Sequence, residues 1–226
     1  MNYQQHARDF WEQGYLVIEN FFTDGLMDHL NQVVLAHFGR NPEWEHSDVF
    51  IQKSATEVIP WFPLRKGDAN FQPIEEDERL KTLTQSILGK GWESLYLMVM
   101  FSKQGTQGQA WHQDSPPEDS SRFNLNRLFY THDINKKTGG QTIVYPGSHK
   151  MGELPAGKPH EDLENQIVLS PKKGTLVILH GHCWHRVLPI KGEYRVSANA
   201  RAIPEGTPED ITDIAVYRNR RYRFSP

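Results

Sequence analysis

The chain has 226 residues, 37% of them hydrophobic and 23% charged, and a formal net charge of -3. That length suits one domain with a real core, and that charge gives no electrostatic case for a nucleic-acid partner. No run approaches the roughly 18 apolar residues of a membrane span, and the polar opening MNYQQHARDF lacks the apolar stretch of a secretory leader.

In chain order, residues 4–13 read as a helix stopped by Gly14. Tyr15-Leu16-Val17-Ile18 is a compact apolar run with β propensity, hence a strand. Thr23 is placed to cap a helix reaching Phe38, with Leu26, Leu30, Val33, Val34 and Phe38 on its buried face. Residues 41–75 hold prolines and aromatics without a period and receive no element; Trp44, Trp61, Phe62, Phe71 and, further on, Trp92 read as core rather than pocket. Residues 76–88 form another amphipathic helix, ended by Gly89.

From Leu95 the texture changes to short β-rich runs at 95–102, 125–131, 141–145, 166–169, 175–179, 183–188 and 194–202. Gly139-Gly140, Pro146-Gly147, residues 171–174 and Lys191-Gly192 punctuate them. Many short strands between Gly and Pro turns specify a sandwich or barrel. The expected fold is mainly β with flanking helices: a helical layer over about 1–92 packed on a jelly roll over about 93–203. The closing arginines (Arg218, Arg220, Arg221 and Arg223, interleaved with Tyr222 and Phe224) read as a solvated tail or edge strand.

A single cysteine, Cys183, excludes a disulfide framework and points to a reducing compartment, the cytoplasm. Eleven histidines against that one cysteine favour imidazole and carboxylate metal chemistry over thiolate zinc. Three His-x-Asp triplets occur, His46/Asp48, His112/Asp114 and His160/Asp162. Along a strand, residues i and i+2 share a face and can reach one ion, but His and Asp are frequent enough here to produce such triplets by chance. Context separates them: His112 and Asp114 end a strand before the turn Ser115-Pro116-Pro117, where ligands are held by the sheet yet open to a cavity. His160/Asp162 lies in a polar loop and His46/Asp48 precedes the β region, so both read as surface pairs.

A third ligand from a distant strand would complete a two-His-one-carboxylate set. His180, His182 and His185 are the candidates; the first two flank Gly181 in a turn, whereas His185 begins the next strand. Arg195, beyond the Lys191-Gly192 turn, would open the neighbouring antiparallel strand and could grip a carboxylate in bidentate fashion. Arg201, six residues on, is the alternative.

Taken in order, these segments resemble the phytanoyl-CoA dioxygenase family over most of the chain. They are Gly14 to Ile18 with the following helix, Trp111-His112-Gln113-Asp114, Gly139 to Lys150 (GGQTIVYPGSHK), and Gly174 to Leu179 followed by His185 and Arg195. The resemblance implies a double-stranded β-helix, Fe(II) held by His112, Asp114 and His185, and 2-oxoglutarate and O2 as cosubstrates. It selects His185 over its two neighbours and leaves His149 as a loop-fixing residue. It also implies cosubstrate contacts at Arg195, Gln113 and Asn126, with Leu128 and Tyr130 on the same strand as Asn126 and Lys53 as a further carboxylate contact. Strand alternation, however, turns Gln113 away from the metal. Two positions depart from the family: Leu128 stands near a usual aromatic, and Val187 stands where a small polar residue is usual.

The implied reaction couples decarboxylation of 2-oxoglutarate to hydroxylation of a small organic substrate. A carboxylate at Asp114, where related halogenases need a small residue, favours hydroxylation or a related desaturation or cyclisation. The competing reading is a cupin-like metal- or ligand-binding or sensing protein without catalysis.

Overall fold

The computed structural model describes residues 1–155, 157–216 and 220–224. Strand β10 (Tyr194–Ile203) shows why the sheets form where they do. Val196, Ala198, Ala200 and Ala202 pack on one side of it, while Arg195, Ser197, Asn199 and Arg201 take the other. In its sheet β10 lies between β5 (Leu125–Tyr130) and β3 (Glu93–Lys103); β8 (Leu176–His180) and β1 (Tyr15–Ile18) extend the β5 side, and β2 (Ile59–Trp61) the β3 side. The second sheet runs in the order β12 (Arg220–Tyr222), β11 (Ile214–Val216), β4 (Gln109–Gln113), β9 (His185–Val187), β6 (Thr142–Val144) and β7 (Ile167–Leu169). All pairings between named strands are antiparallel.

The chain passes back and forth between the sheets as it goes from β3 to β10, which is the winding of a double-stranded β-helix. One consequence corrects the expected hairpin at Lys191-Gly192. β9 and β10 lie in different sheets, so that turn crosses the sandwich, and Arg195 pairs with Ser102 of β3 rather than with a residue of β9.

The helices of the N-terminal part are α1 (Tyr3–Gln13), α2 (Asp24–Phe38), α3 (Asp48–Ser54), α4 (Gln72–Glu75) and α5 (Glu78–Leu88). α1, α2, α4 and α5 pack on the outer face of the first sheet, whereas α3 packs on β12 of the second, with Phe50 against Tyr222 and Phe224. Phe10 of α1, Met27, Leu30 and Val34 of α2, and Leu80, Leu83 and Ile87 of α5 join one core with Leu97, Val99, Phe129, Ile178 and Val196 of the strands. Burying each such side chain stabilises by about 1.5–3 kcal/mol. The central strands β5, β8 and β10 are therefore buried on both faces. Met98, Met100, Leu128, Val177 and Leu179 face inward to meet Ala110, Val144, Ile214 and Val216 of the second sheet.

Local chemistry explains the helix ends. The Thr23 hydroxyl accepts from the Leu26 N–H, as the sequence predicts, and Leu26, Val33 and Phe38 are only half-buried at the margin of α2. The Asp77 carboxylate accepts from the N–H groups of Arg79 and Leu80, so α5 begins at Glu78, two residues later than the pattern suggests. The segment 41–75 contains α3, β2 and α4. Trp61, Phe62 and Phe71 are buried there, whereas Trp44 is exposed; Trp92 is half-buried beneath the Arg127 guanidinium. The Arg-rich end supplies edge strand β12, with Arg221 paired to Glu118 and Tyr222 and Phe224 buried; Arg218 lies outside the described residues. Among the described residues no helix is long and apolar enough to cross a membrane.

Candidate metal centre

Adjacent strands bring the two histidines together. His112 of β4 pairs directly with His185 of β9, and their ring centroids lie 4.0 Å apart. Asp114 follows at the strand end, with Oδ2 3.3 Å from His185 Nε2 and Oδ1 3.8 Å from His112 Nε2. A ligand atom from each of the three lies within 4.8 Å of the others, and all three residues are buried.

Backbone contacts choose the tautomers. His112 Nδ1 donates to the Ala110 carbonyl at 2.7 Å, and His185 Nδ1 donates to the Cys183 carbonyl at 2.9 Å. Each ring thus presents the Nε2 lone pair to the centre. Burial, then the neighbouring His185, pushes the His112 pKa down to about 3, which keeps that imidazole neutral. Burial alone would raise the Asp114 pKa, but the Arg201 guanidinium and then His185 outweigh it and hold the carboxyl well below the usual range. The donor set is two imidazoles and one ionised carboxylate, which suits Fe(II).

The loop after Asp114 is clasped from behind. Asn124 Nδ2 donates to the Asp114 carbonyl at 2.6 Å, and the Ser115 N–H donates to the Gly181 carbonyl at 3.1 Å. Gly181 is required at that contact, because a Cβ there would meet the Ser115 hydroxyl and the Asn124 backbone.

The centre opens on a cavity between the sheets, walled by Met98, Met100, Gln109, Leu128, Thr142, Val187, Ile214 and Phe224, with Arg195, Asn199 and Arg201 from β10. Arg195 is 3% exposed; its Nε donates to the Gly140 carbonyl at 2.7 Å and its Nη1 to the Ser197 hydroxyl at 2.8 Å. No carboxylate among the described residues pairs with it. Arg201 differs: its Nη2 lies 3.3 Å from Asp114 Oδ1, its Nε donates to Asn126 Oδ1 at 3.0 Å, and its Nη1 donates to the Tyr96 hydroxyl at 2.8 Å.

Other expected contacts lie elsewhere. The Gln113 amide donates to the carbonyls of Gly152 and His182 and accepts from the Leu154 N–H, so it is spent on the loops behind β4, away from the cavity. Alternation along β4 dictates that orientation. Asn126 is not part of the cavity wall; its oxygen accepts from Arg201 and Asn199, placing it behind Arg201. Lys53 is exposed on α3 and does not line the cavity. Leu128 does line it, and the Tyr130 hydroxyl lies 3.2 Å from the Thr142 hydroxyl beside Arg195.

His180, His182 and His149 serve the frame. His180 ends β8 and stacks on Phe10 and Phe123. His182 Nε2 donates to the Pro116 carbonyl, and His149 Nε2 to the Trp11 carbonyl. His46 binds the Val58 carbonyl, Asp48 opens α3, and His160 and Asp162 are exposed, the last paired with Arg186.

Sequence reasoning missed the Arg201–Asp114 pair and the walls from Met98, Met100, Ile214 and Phe224. The alternation Arg195, Ser197, Asn199, Arg201, polar on one face against small apolar residues on the other, signals the pair's strand.

In solved structures the fold recurs. The epimerase SnoN, in complex with Fe3+, alpha ketoglutarate and nogalamycin RO, superposes with a TM-score of 0.70 at 14% identity, covering 96% of this chain and 86% of its own. HygX from Streptomyces hygroscopicus, with nickel and 2-oxoglutarate bound, gives 0.69 at 14% identity over 88% and 86%. Its form with hygromycin B also bound gives 0.67 at 15% identity over the same shares. At such identities the likeness is one of fold. A comparison with curated protein sequences finds no match. The family model described as phytanoyl-CoA dioxygenase matches residues 10–194, a span that takes in all three clustered residues, His112, Asp114 and His185. The chain belongs to the phytanoyl-CoA dioxygenase family.

Proposed function

We propose that the protein is an Fe(II)- and 2-oxoglutarate-dependent oxygenase that hydroxylates a C–H bond of a small organic molecule. One observation carries the reading. A buried His-Asp-His set with both Nε2 atoms turned inward shares its cavity with Arg195, a buried guanidinium that has no carboxylate partner among the described residues. A buried charge without a counter-charge is costly, and a dianionic cosubstrate supplies one. Family membership supports the same reading, as do the iron and 2-oxoglutarate named for SnoN and HygX.

His112, Asp114 and His185 would hold the iron, and Arg195 would grip the far carboxylate of 2-oxoglutarate beside the hydroxyls of Thr142 and Ser197. Iron, when bound, supplies the redox chemistry by which 2-oxoglutarate, O2 and R–H give succinate, CO2 and R–OH. The apolar walls from Met98, Met100, Leu128, Val187 and Phe224 exclude water from the reacting centre. A carboxylate at Asp114 fills the position that halogenation would need vacant. A reducing cytoplasm suits both Fe(II) and the buried thiol of Cys183.

The test is succinate release from 2-oxoglutarate under air with Fe(II), in the parent and in His112→Ala, Asp114→Ala and His185→Ala. Release should vanish in all three variants. Parent-level release from any of them would remove that residue from the centre.

A further inference from the structure

Asp114 has two carboxylate oxygens, and they meet different neighbours. Oδ2 lies 3.3 Å from His185 Nε2, whereas Oδ1 lies 3.3 Å from Arg201 Nη2, nearer than the 3.8 Å that separates it from His112 Nε2. The Arg201 side chain is 3% exposed and tied at each of its nitrogens. Its Nε is held by Asn126 Oδ1 and its Nη1 by the Tyr96 hydroxyl. Asn126 is fixed in turn, because the same oxygen accepts from Asn199 Nδ2 at 2.7 Å and Asn199 Oδ1 accepts from the Arg127 N–H at 3.1 Å. Three neighbouring strands, β3, β5 and β10, therefore aim this guanidinium at one oxygen of one carboxylate.

We propose that Arg201 is a positioning residue that occupies Oδ1 of Asp114 and so limits the carboxylate to a single donor atom, Oδ2, toward the metal. The assignment rests on the iron reading above. A carboxylate that binds through one oxygen leaves three of six positions open beside two imidazoles, enough for a chelating keto acid and O2 together. A carboxylate free to bind through both oxygens leaves two, and the cosubstrate and O2 must then compete. Asn126 acts through Arg201 rather than on the cosubstrate.

The experiment uses the whole protein loaded anaerobically with Fe(II) and saturated with 2-oxoglutarate, then titrated with nitric oxide as a neutral, non-reacting substitute for O2. The parent should take up nitric oxide while keeping the visible band of its bound cosubstrate. Arg201→Gln should retain Fe(II), bind 2-oxoglutarate about ten- to a hundredfold more weakly, and lose the cosubstrate band as nitric oxide enters. Arg201→Lys, which keeps a cation near Oδ1, should restore part of the ternary complex. Asn126→Ala, which leaves Asp114 and Arg201 in place, should show the same competition more weakly and guards against an Arg201 variant that fails to fold. If Arg201→Gln or Asn126→Ala, saturated with 2-oxoglutarate, takes up nitric oxide as the parent does, the positioning role is overturned; weaker cosubstrate affinity alone would then mean a direct contact. A parent that binds no Fe(II) would overturn the iron reading itself, and this inference with it.

Discussion

Arg195 and Arg201 share a strand and a face, and their partners divide the work between them. Arg201 already has a carboxylate in Asp114, whereas Arg195 meets the Gly140 carbonyl, the hydroxyls of Ser197 and Thr142, and Tyr130, none of them a carboxylate. The unpaired guanidinium is the one a second anion can satisfy. Arg195→Ala should therefore raise the 2-oxoglutarate requirement by about ten- to a hundredfold, since hydrogen bonds to charged groups contribute roughly 1.5–3 kcal/mol, with Fe(II) still bound. A saturation curve for 2-oxoglutarate checks this, and an unchanged curve would move the role away from Arg195. The cluster's His112 and Asp114 were legible in the sequence because strand alternation and a turn after Asp114 set one His-x-Asp triplet apart from two others. Gln113 and Asn126 were harder to place. Whether an amide lines a cavity or braces a neighbour depends on loops and strands far away in the chain, such as Gly152 for Gln113 and Arg201 for Asn126.

At the scale of elements, what positions Arg195 is the turn before β6. Gly140 has φ +66°, and a Cβ there would run into the Arg195 side chain and Ile190. Gly140→Ala should cost about 1–2 kcal/mol from left-handed strain alone. It should also raise the 2-oxoglutarate requirement by displacing the guanidinium, while Gly206→Ala, at a distant positive-φ glycine with nothing within 4 Å, should lose stability only. Paired thermal melts and saturation curves separate the two effects; loss of stability without any change in the saturation curve would deny Gly140 its link to the site. Most strands of the second half were legible because apolar runs sit between Gly and Pro turns. The pairing was not: β9 and β10 are joined by a short turn that reads as a hairpin, yet each belongs to a different sheet. Strands β11 and β12 are three residues each, too short for alternation to register, and the arginines around them resemble solvated tail.

Across the whole molecule, histidines buried as neutral rings tie the frame to the site. Burial, then Arg195, lowers the His132 pKa to about 4, and burial also lowers those of His149, His180 and His182. The unfolded chain, with ordinary values near 6.5, takes up protons that the folded chain refuses, so stability is full above that pH and falls as pH drops toward 4. Thermal melts between pH 7.5 and about 4.5 should show a steady decline beginning below about pH 6.5, whereas a flat profile would mean these rings ionise freely in the fold. The same burial frames the site: helices seal one sheet, the second sheet closes the cavity, and His112, Asp114 and His185 meet where β4 and β9 pair. The claim that unites these scales is that this cavity binds Fe(II) and then 2-oxoglutarate. Its most direct test is an anaerobic titration of the metal-free protein with Fe(II) followed by 2-oxoglutarate, watching for the visible metal-to-ligand charge-transfer band. The account predicts a band that saturates with 2-oxoglutarate and is absent in Asp114→Ala; iron binding without a band, or a band that survives Asp114→Ala, would contradict it.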